Sequence, residues 1–156
     1  MTARIGELGE MMEGTAVSEQ AAADVVRQNV DAIQRCYAAV GRGDIPAVLD
    51  LLTDDVQWTL QGPPAIPFAG TRRGKAGVVE FFSLVGGTLE FHQFEPREFV
   101  AQGDSVIAIG YEHSVAKPTG RTLRQAWAHV YTLKDGKIAA FRGFEDTAAL
   151  VVACEG

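Results

Sequence analysis

The sequence predicts an α+β protein in which helices come first and an antiparallel sheet follows. Three observations predict this order. Up to about Val40, apolar residues recur at steps of three and four, which is the period of a helix. From Thr88 onward the period changes to two, which is the period of a strand. Turn sequences such as Asp135-Gly136 separate the later segments and are typical of hairpins.

Ser18 predicts the start of the first long helix, because a serine hydroxyl can accept a hydrogen bond from a free N–H of the first turn. We expect this helix to run to about Val40 and to end at the glycines that follow. Asp44 then caps a second, short helix, and residues 75–85 form a third. The apolar stripe of the first helix consists of Val26, Val30, Ile33, Tyr37 and Val40.

Five strands are expected, and the segment 62–74 is a loop because it is rich in proline and glycine. The strands are expected at 56–61, 88–101, 105–117, 121–134 and 138–144. The remaining prediction concerns the ends of the chain. Residues 1–17 are polar and without period, so we expect a mobile tail, then one domain over 18–152 and a short C-terminal tail over 153–156.

The composition bounds the class of protein. With 156 residues, 47% of them hydrophobic, the chain can form one globular domain without disulfides or metal. A formal charge of −6 argues against a nucleic-acid partner, and no apolar run is long enough for a membrane helix. The two cysteines lie far apart, which predicts free thiols and a cytoplasmic location. The histidine spacings predict neither a metal site nor a cofactor.

The turn at residues 118–119 predicts the register of the two long strands beside it, and hence which side chains share a face. The expected cross-strand pairs on one face are Glu112 with Gln125, Gly110 with Trp127, and Ala108 with His129. An indole over a glycine is a favourable pairing. The opposite face carries Ile107, Ile109, Tyr111, Ala126, Ala128 and Val130. We therefore expect a pocket on the first face and a homodimer contact through the second, outer face.

Three strings of this sequence resemble the SnoaL-like branch of the nuclear-transport-factor-two-like (NTF2-like) superfamily: CYAAVGRGDIPAVLDLLTDDVQW, AGTRRGKAGVVEFF and LKDGKIAAFRGFEDTAAL. The resemblance covers roughly Val25 to Val152. It implies a cone-shaped, curved sheet wrapped around three N-terminal helices, a mostly apolar cavity, and commonly a dimer. Because this fold hosts isomerases, cyclases, epoxide hydrolases, dehydratases and binding proteins, the resemblance does not by itself select one activity.

Family catalytic positions carry over only in part. In ketosteroid isomerases, the tyrosine of the first helix matches Cys36, with Tyr37 one step further along the helix. The general-base aspartate of those enzymes matches Leu60, and their protonated oxyanion-hole acid matches His129. Compared with polyketide cyclases of the family, the catalytic aspartate falls on Gly143.

Limonene-epoxide hydrolases give a similar result. Their arginine matches Gly110, and one of their aspartates matches Glu112. The other aspartate matches Gly143, which is also the position of the cyclase aspartate. Their water-positioning tyrosine and asparagine match Trp58 and Leu60. No complete family constellation is therefore present.

Glu112 and His129 are the predicted catalytic residues, since a carboxyl and an imidazole on one covered face could relay a proton. Two other interpretations remain open: an ion pair of Glu112 with Arg124 or Arg121, and a purely structural histidine bonded to backbone or to Tyr131. The predicted ligand-binding residues are Trp58, Leu60, Gln125, Trp127, Phe141, Glu145, Cys36 and Tyr37.

These residues predict a cofactor-free isomerase, cyclase or lyase that acts on a small apolar oxygenated substrate. A non-catalytic binding protein for the same kind of ligand is the main alternative. An epoxide hydrolase is a weaker one, because its arginine and its water-orienting groups are missing.

Overall fold

The computed structural model describes residues 5–155, with side chains from residue 7 onward, and confirms the α+β prediction. The helices are α1 (Ile5–Gly41), α2 (Ile45–Leu49), α3 (Gly74–Thr88) and α4 (Thr147–Glu155). The strands are β1 (Leu52–Leu60), β2 (Gly70–Arg73), β3 (Leu89–Gln102), β4 (Ser105–Ala116), β5 (Thr122–Lys134) and β6 (Lys137–Phe144).

The strands form one curved, unclosed sheet in the order β2-β1-β6-β5-β4-β3. All neighbours are antiparallel except β1 and β6, which run parallel. Irregularities in the pairing of β3 with β4 fall between Phe91 and Gln93 and between Pro96 and Glu98. Because bulges bend a strand and increase its twist, they help the sheet to curve around α1 and α3.

The predicted start of the first helix at Ser18 is wrong, because α1 already begins at Ile5. Side chains 7–17 are exposed, so no buried face gives this part of the helix an apolar period. The pattern therefore detects only the half of α1 that packs on the sheet. Residues 1–4 lie outside the described part of the chain, and the mobility of 1–17 stays a prediction.

Two further elements were not predicted. Strand β2 lies inside the segment predicted as a loop and pairs with β1. Helix α4 extends over residues 153–155 of the predicted C-terminal tail, while Gly156 lies outside the described residues. The carboxylate of Asp146 accepts a hydrogen bond from the backbone N–H of Ala149 at 3.0 Å, and Leu150 is buried. This N-terminal cap and the buried leucine explain why a helix forms here.

The predicted register of the β4–β5 hairpin is confirmed. Glu112 lies opposite Gln125, Gly110 opposite Trp127, and Ala108 opposite His129. These side chains lie on the inner face of the sheet. Those of the outer face, such as Ile109, are partly exposed. A homodimer through this outer face stays a prediction.

No helix among residues 5–155 is long and apolar enough to span a bilayer.

Helix α1 is held on the sheet by hydrogen bonding as well as by the packing of its apolar stripe. Asn29 is buried, and its Nδ2 donates to the carbonyl of Gly103 in the β3–β4 turn at 3.3 Å. This contact fixes the position along the sheet at which the next turns of α1 reach the inner face.

Gly110 is required by close packing. A Cβ atom placed there would lie 2.2 Å from Cζ2 of Trp127 and 2.3 Å from the carbonyl oxygen of Glu95. We expect Gly110→Ala to lower the free energy of unfolding by about 1–3 kcal/mol, because neither neighbour can move freely. Gly87→Ala is the control, since nothing lies within 4 Å of its Cβ position in α3. Chemical denaturation measures both, and equal stability of the two variants would contradict this packing argument.

Candidate active site

A cavity of about 750 Å³ lies between the inner face of the sheet, the C-terminal half of α1, and α3. Its wall is largely aromatic. The rings of Trp58 and Phe141 stack with centroids 4.2 Å apart, and the centroids of Phe81 and Phe82 of α3 lie 6.0 and 5.9 Å from that of Trp58. The volume is sufficient for a ligand of two or three fused rings.

The cavity collects most of the predicted site residues. The ones that line it are Cys36, Tyr37, Trp58, Leu60, Glu112, His129, Phe141 and Glu145. Two others lie behind this lining. Gln125 is buried against Glu112, and Trp127 is covered by the ring of Phe94, with centroids 4.8 Å apart. The predicted direct contact of Gln125 and Trp127 with a ligand is therefore not supported, because other side chains cover them.

Glu112 is held in the sheet by uncharged donors. Its Oε1 accepts a hydrogen bond from Nε2 of Gln125 at 2.5 Å, and its Oε2 accepts one from Oγ of Ser114 at 3.1 Å. The same Nε2 of Gln125 donates to Oε2 of Glu145 at 3.1 Å. The amide cannot turn over, because its Oε1 accepts the backbone N–H of Asp146 at 2.8 Å. One fixed amide thus joins the two glutamates.

An ion pair between Glu112 and arginine is not what the structure shows. Arg124 lies opposite His113 and therefore on the outer face of the sheet. Arg121 donates from Nη1 to the carbonyl of Val152 at 2.8 Å. No arginine or lysine of the described chain forms an ion pair with Glu112. Burial, followed by the charge of Glu145, raises the pKa of its carboxyl to about 7. The bonds from Gln125 and Ser114 offset part of this effect.

The hydrogen-bond partner of His129 is Tyr37, whereas the structural interpretation named Tyr131. Its Nδ1 lies 2.8 Å from the hydroxyl of Tyr37, and Tyr131 reaches the imidazole only through Tyr37. Burial lowers the pKa of His129, while the charge of Glu145 acts in the opposite direction. The ring also stacks on Trp127 with centroids 4.1 Å apart. His129 is therefore a buried imidazole at the cavity wall.

The family's missing aspartates are replaced by packing. A Cβ at Gly143 would lie 2.7 Å from Cδ1 of Leu60 and 3.0 Å from Cζ of Phe141. The leucine thus fills the space that a side chain at position 143 would need. Cys36 also lines the cavity, but burial raises the pKa of its thiol to about 12. A thiol with this pKa stays protonated near neutral pH and is a poor nucleophile.

Several lining residues were not predicted. Phe81 and Phe82 come from α3, and Phe94 and Phe91 come from β3. Their apolar periods are visible in the sequence, but a period does not show whether a buried face meets a cavity or a packed core. His92 is half-exposed and also lines the cavity, and its ring stacks on that of His113.

Within residues 5–155, the structure shows no cluster of three or more histidine, cysteine, aspartate or glutamate side chains that could hold a metal ion. Among the titratable groups that line the cavity are the two carboxyls, His129 and the hydroxyl of Tyr37. Groups of this kind can transfer protons and form hydrogen bonds to a ligand.

A sequence model of the SnoaL-like domain matches residues 33–141, and the chain belongs to this family within the NTF2-like superfamily. Among curated proteins there is no match. An NTF2-like protein from Burkholderia xenovorans LB400 is 33% identical over 83% of this chain and 98% of its own, with a TM-score of 0.77. The resemblance predicted from the three sequence strings is thus confirmed.

Two other solved structures extend the comparison. TerC, co-crystallised with polyporic acid, is 31% identical over 83% of this chain and 99% of its own, with a TM-score of 0.74. A candidate SnoaL-like polyketide cyclase from Jannaschia sp. CCS1 is 18% identical over 85% of this chain and 94% of its own. Its TM-score of 0.72 shows a shared fold, and at that identity nothing further is implied.

The raised pKa of Glu112 predicts a pH dependence of stability. Because folding raises this pKa from its ordinary value of 4.5 to about 7, the folded state holds the proton more tightly. Its contribution to stability is full below pH 4.5 and is lost as the pH rises to about 7. Relative to Glu112→Gln, we expect the wild-type free energy of unfolding to fall by about 3 kcal/mol over this window.

Denaturant titrations at several pH values between 4 and 8 measure this difference. Glu98→Gln is the matched control, because it removes an exposed carboxylate from the same sheet. The difference in the free energy of unfolding between the wild type and Glu112→Gln could instead stay constant across this pH range. That result would show that Glu112 titrates alike in the folded and unfolded chains.

Proposed function

We propose that this protein is a cofactor-free acid–base enzyme of the isomerase, cyclase or lyase type. The ligand is a small, mostly apolar ring system that carries a carbonyl or hydroxyl oxygen. The observation that carries the proposal is the carboxyl of Glu112, buried at the wall of an aromatic cavity with a pKa of about 7. Such a group can both take up and release a proton near neutral pH.

The roles follow from the positions of the groups. Glu112 removes a proton from the carbon beside the ligand carbonyl and returns it to another atom of the same ligand. His129 lies at the same wall and stabilises the oxygen on which negative charge develops. The aromatic wall around Trp58 and Phe141 excludes water, which strengthens both interactions.

The charge of the cavity selects the ligand. Among the described residues that line it, the acidic groups are Glu112 and Glu145, and no lysine or arginine is present. Lys117 reaches the rim, where its Nζ donates to the carbonyl of Gly86 at 2.5 Å. An anionic ligand group at the polar end of the cavity, beside Glu112 and Glu145, would therefore face carboxyls without a compensating cation. A neutral oxygenated ligand avoids this repulsion.

Deuterium exchange tests the catalytic role. The α-protons of β-tetralone, a neutral bicyclic ketone, exchange in D₂O when a base removes them, and NMR follows the loss of their signals. We expect the wild-type protein to accelerate this exchange and Glu112→Gln to lose about 10²–10⁴-fold of the acceleration, with the Kd for β-tetralone unchanged. Glu98→Gln should exchange as the wild type does. Equal rates for the wild type and Glu112→Gln would contradict the role of Glu112.

A matched pair of ligands tests the charge selection. β-Naphthol and β-naphthoate share one ring system and differ in the charge of the oxygen group at neutral pH. We expect β-naphthoate to bind at least about tenfold more weakly, a difference of about 1.4 kcal/mol. Glu145→Gln should narrow this gap, because it removes one of the carboxyls at the polar end. Calorimetry or melting-temperature shifts measure both, and polyporic acid, the compound co-crystallised with TerC, is a third probe.

A non-catalytic binding protein is the second candidate, and one observation favours it. The space of the cyclase aspartate is filled by Leu60, which packs over Gly143. A protein that only holds its ligand needs no carboxylate there. Tight binding of β-tetralone, with no accelerated exchange by the wild type, would favour this candidate.

A further inference from the structure

Two tyrosines and a histidine form a hydrogen-bonded row at the cavity wall. The hydroxyl of Tyr131 donates to the hydroxyl oxygen of Tyr37 at 2.8 Å, and that hydroxyl lies 2.8 Å from Nδ1 of His129. Tyr131 and His129 are buried, so bulk water does not compete for these bonds. Because the partner of each group in this row is known, the position of each proton along it can be worked out.

The count begins at Tyr131. Because this hydroxyl gives its proton to the oxygen of Tyr37, the one proton of Tyr37 is free to point elsewhere. Nδ1 of His129 lies within its reach. If Tyr37 donates to Nδ1, that nitrogen is the acceptor, and in a neutral imidazole the ring proton must then sit on Nε2.

The opposite tautomer fits the row less well. In it, Nδ1–H would donate to the Tyr37 oxygen, which already accepts from Tyr131, and the proton of Tyr37 would have no acceptor in the row. Burial also lowers the pKa of His129, which favours the neutral ring.

We infer that Tyr37 and Tyr131 are positioning residues that hold His129 as the Nε2–H tautomer, so that the histidine presents an N–H donor at the cavity wall. In the acid–base reaction proposed above, on which this role rests, that N–H is the donor to the ligand oxygen. His129 then supplies a hydrogen bond and leaves the movement of the proton to Glu112.

Nitrogen-15 NMR of histidine-labelled protein measures the tautomer directly. At pH 7.5 we expect a protonated-type shift for Nε2 of His129 and a lone-pair-type shift for Nδ1. His92 and His113 in the same spectrum are the internal references, because neither is bonded to the row of Tyr131, Tyr37 and His129. Tyr37→Phe should remove the fixed pattern and give averaged shifts at His129. Tyr131→Phe should weaken it, since the hydroxyl of Tyr37 then turns more freely.

The wild-type spectrum alone can overturn the inference. A protonated-type shift at Nδ1, or averaged shifts at both nitrogens, would show that the tyrosine row does not fix the ring. An unchanged Nε2–H pattern in a folded Tyr37→Phe variant would show that the hydroxyl of Tyr37 does not fix the tautomer. None of these readouts depends on turnover, so they are separate from the exchange experiment that tests Glu112.

Discussion

The burial of the Glu112 carboxyl on the inner face of the sheet is the constraint on which the site depends. A buried carboxyl without a cation must find hydrogen-bond donors, and Gln125 supplies the shorter of the two bonds. That amide is in turn fixed by the backbone N–H of Asp146, the residue that caps α4. The start of the last helix therefore orients the group that bridges both glutamates, and a change there would reach the cavity.

Apolar side chains pack at two positions where catalytic enzymes of the resemblance have charged residues. The indole of Trp127 covers Gly110, where the epoxide hydrolases of the resemblance have an arginine, and Leu60 covers Gly143. Each glycine is too crowded to carry a side chain. The groups proposed to act on a ligand, Glu112, Glu145 and His129, are therefore set in a largely apolar wall.

Much of this arrangement could be predicted from the sequence, because strand alternation is a strong constraint. Once the hairpin turn is placed, the register puts Glu112, Gln125 and His129 on one face without further information. The partners of these groups could not be predicted. Tyr37 meets His129 across 92 residues of sequence, and such a contact follows from how α1 packs on the sheet. The exposed half of α1 was missed for the related reason that its side chains 7–17 form no buried face.

The position of β6 between β1 and β5 has a consequence for how the chain folds. During synthesis β1 emerges early, but β6, the strand that completes its second edge, is made only after β2, β3, β4 and β5. Until then one row of backbone N–H and C=O groups of β1 is open to pairing with other chains, and its apolar side chains lack half of their neighbours. Non-local pairing of this kind also slows folding. The hairpin of β5 and β6 therefore joins β1 and β2 to the rest of the sheet, and truncation before residue 137 leaves a sheet in two separate pieces.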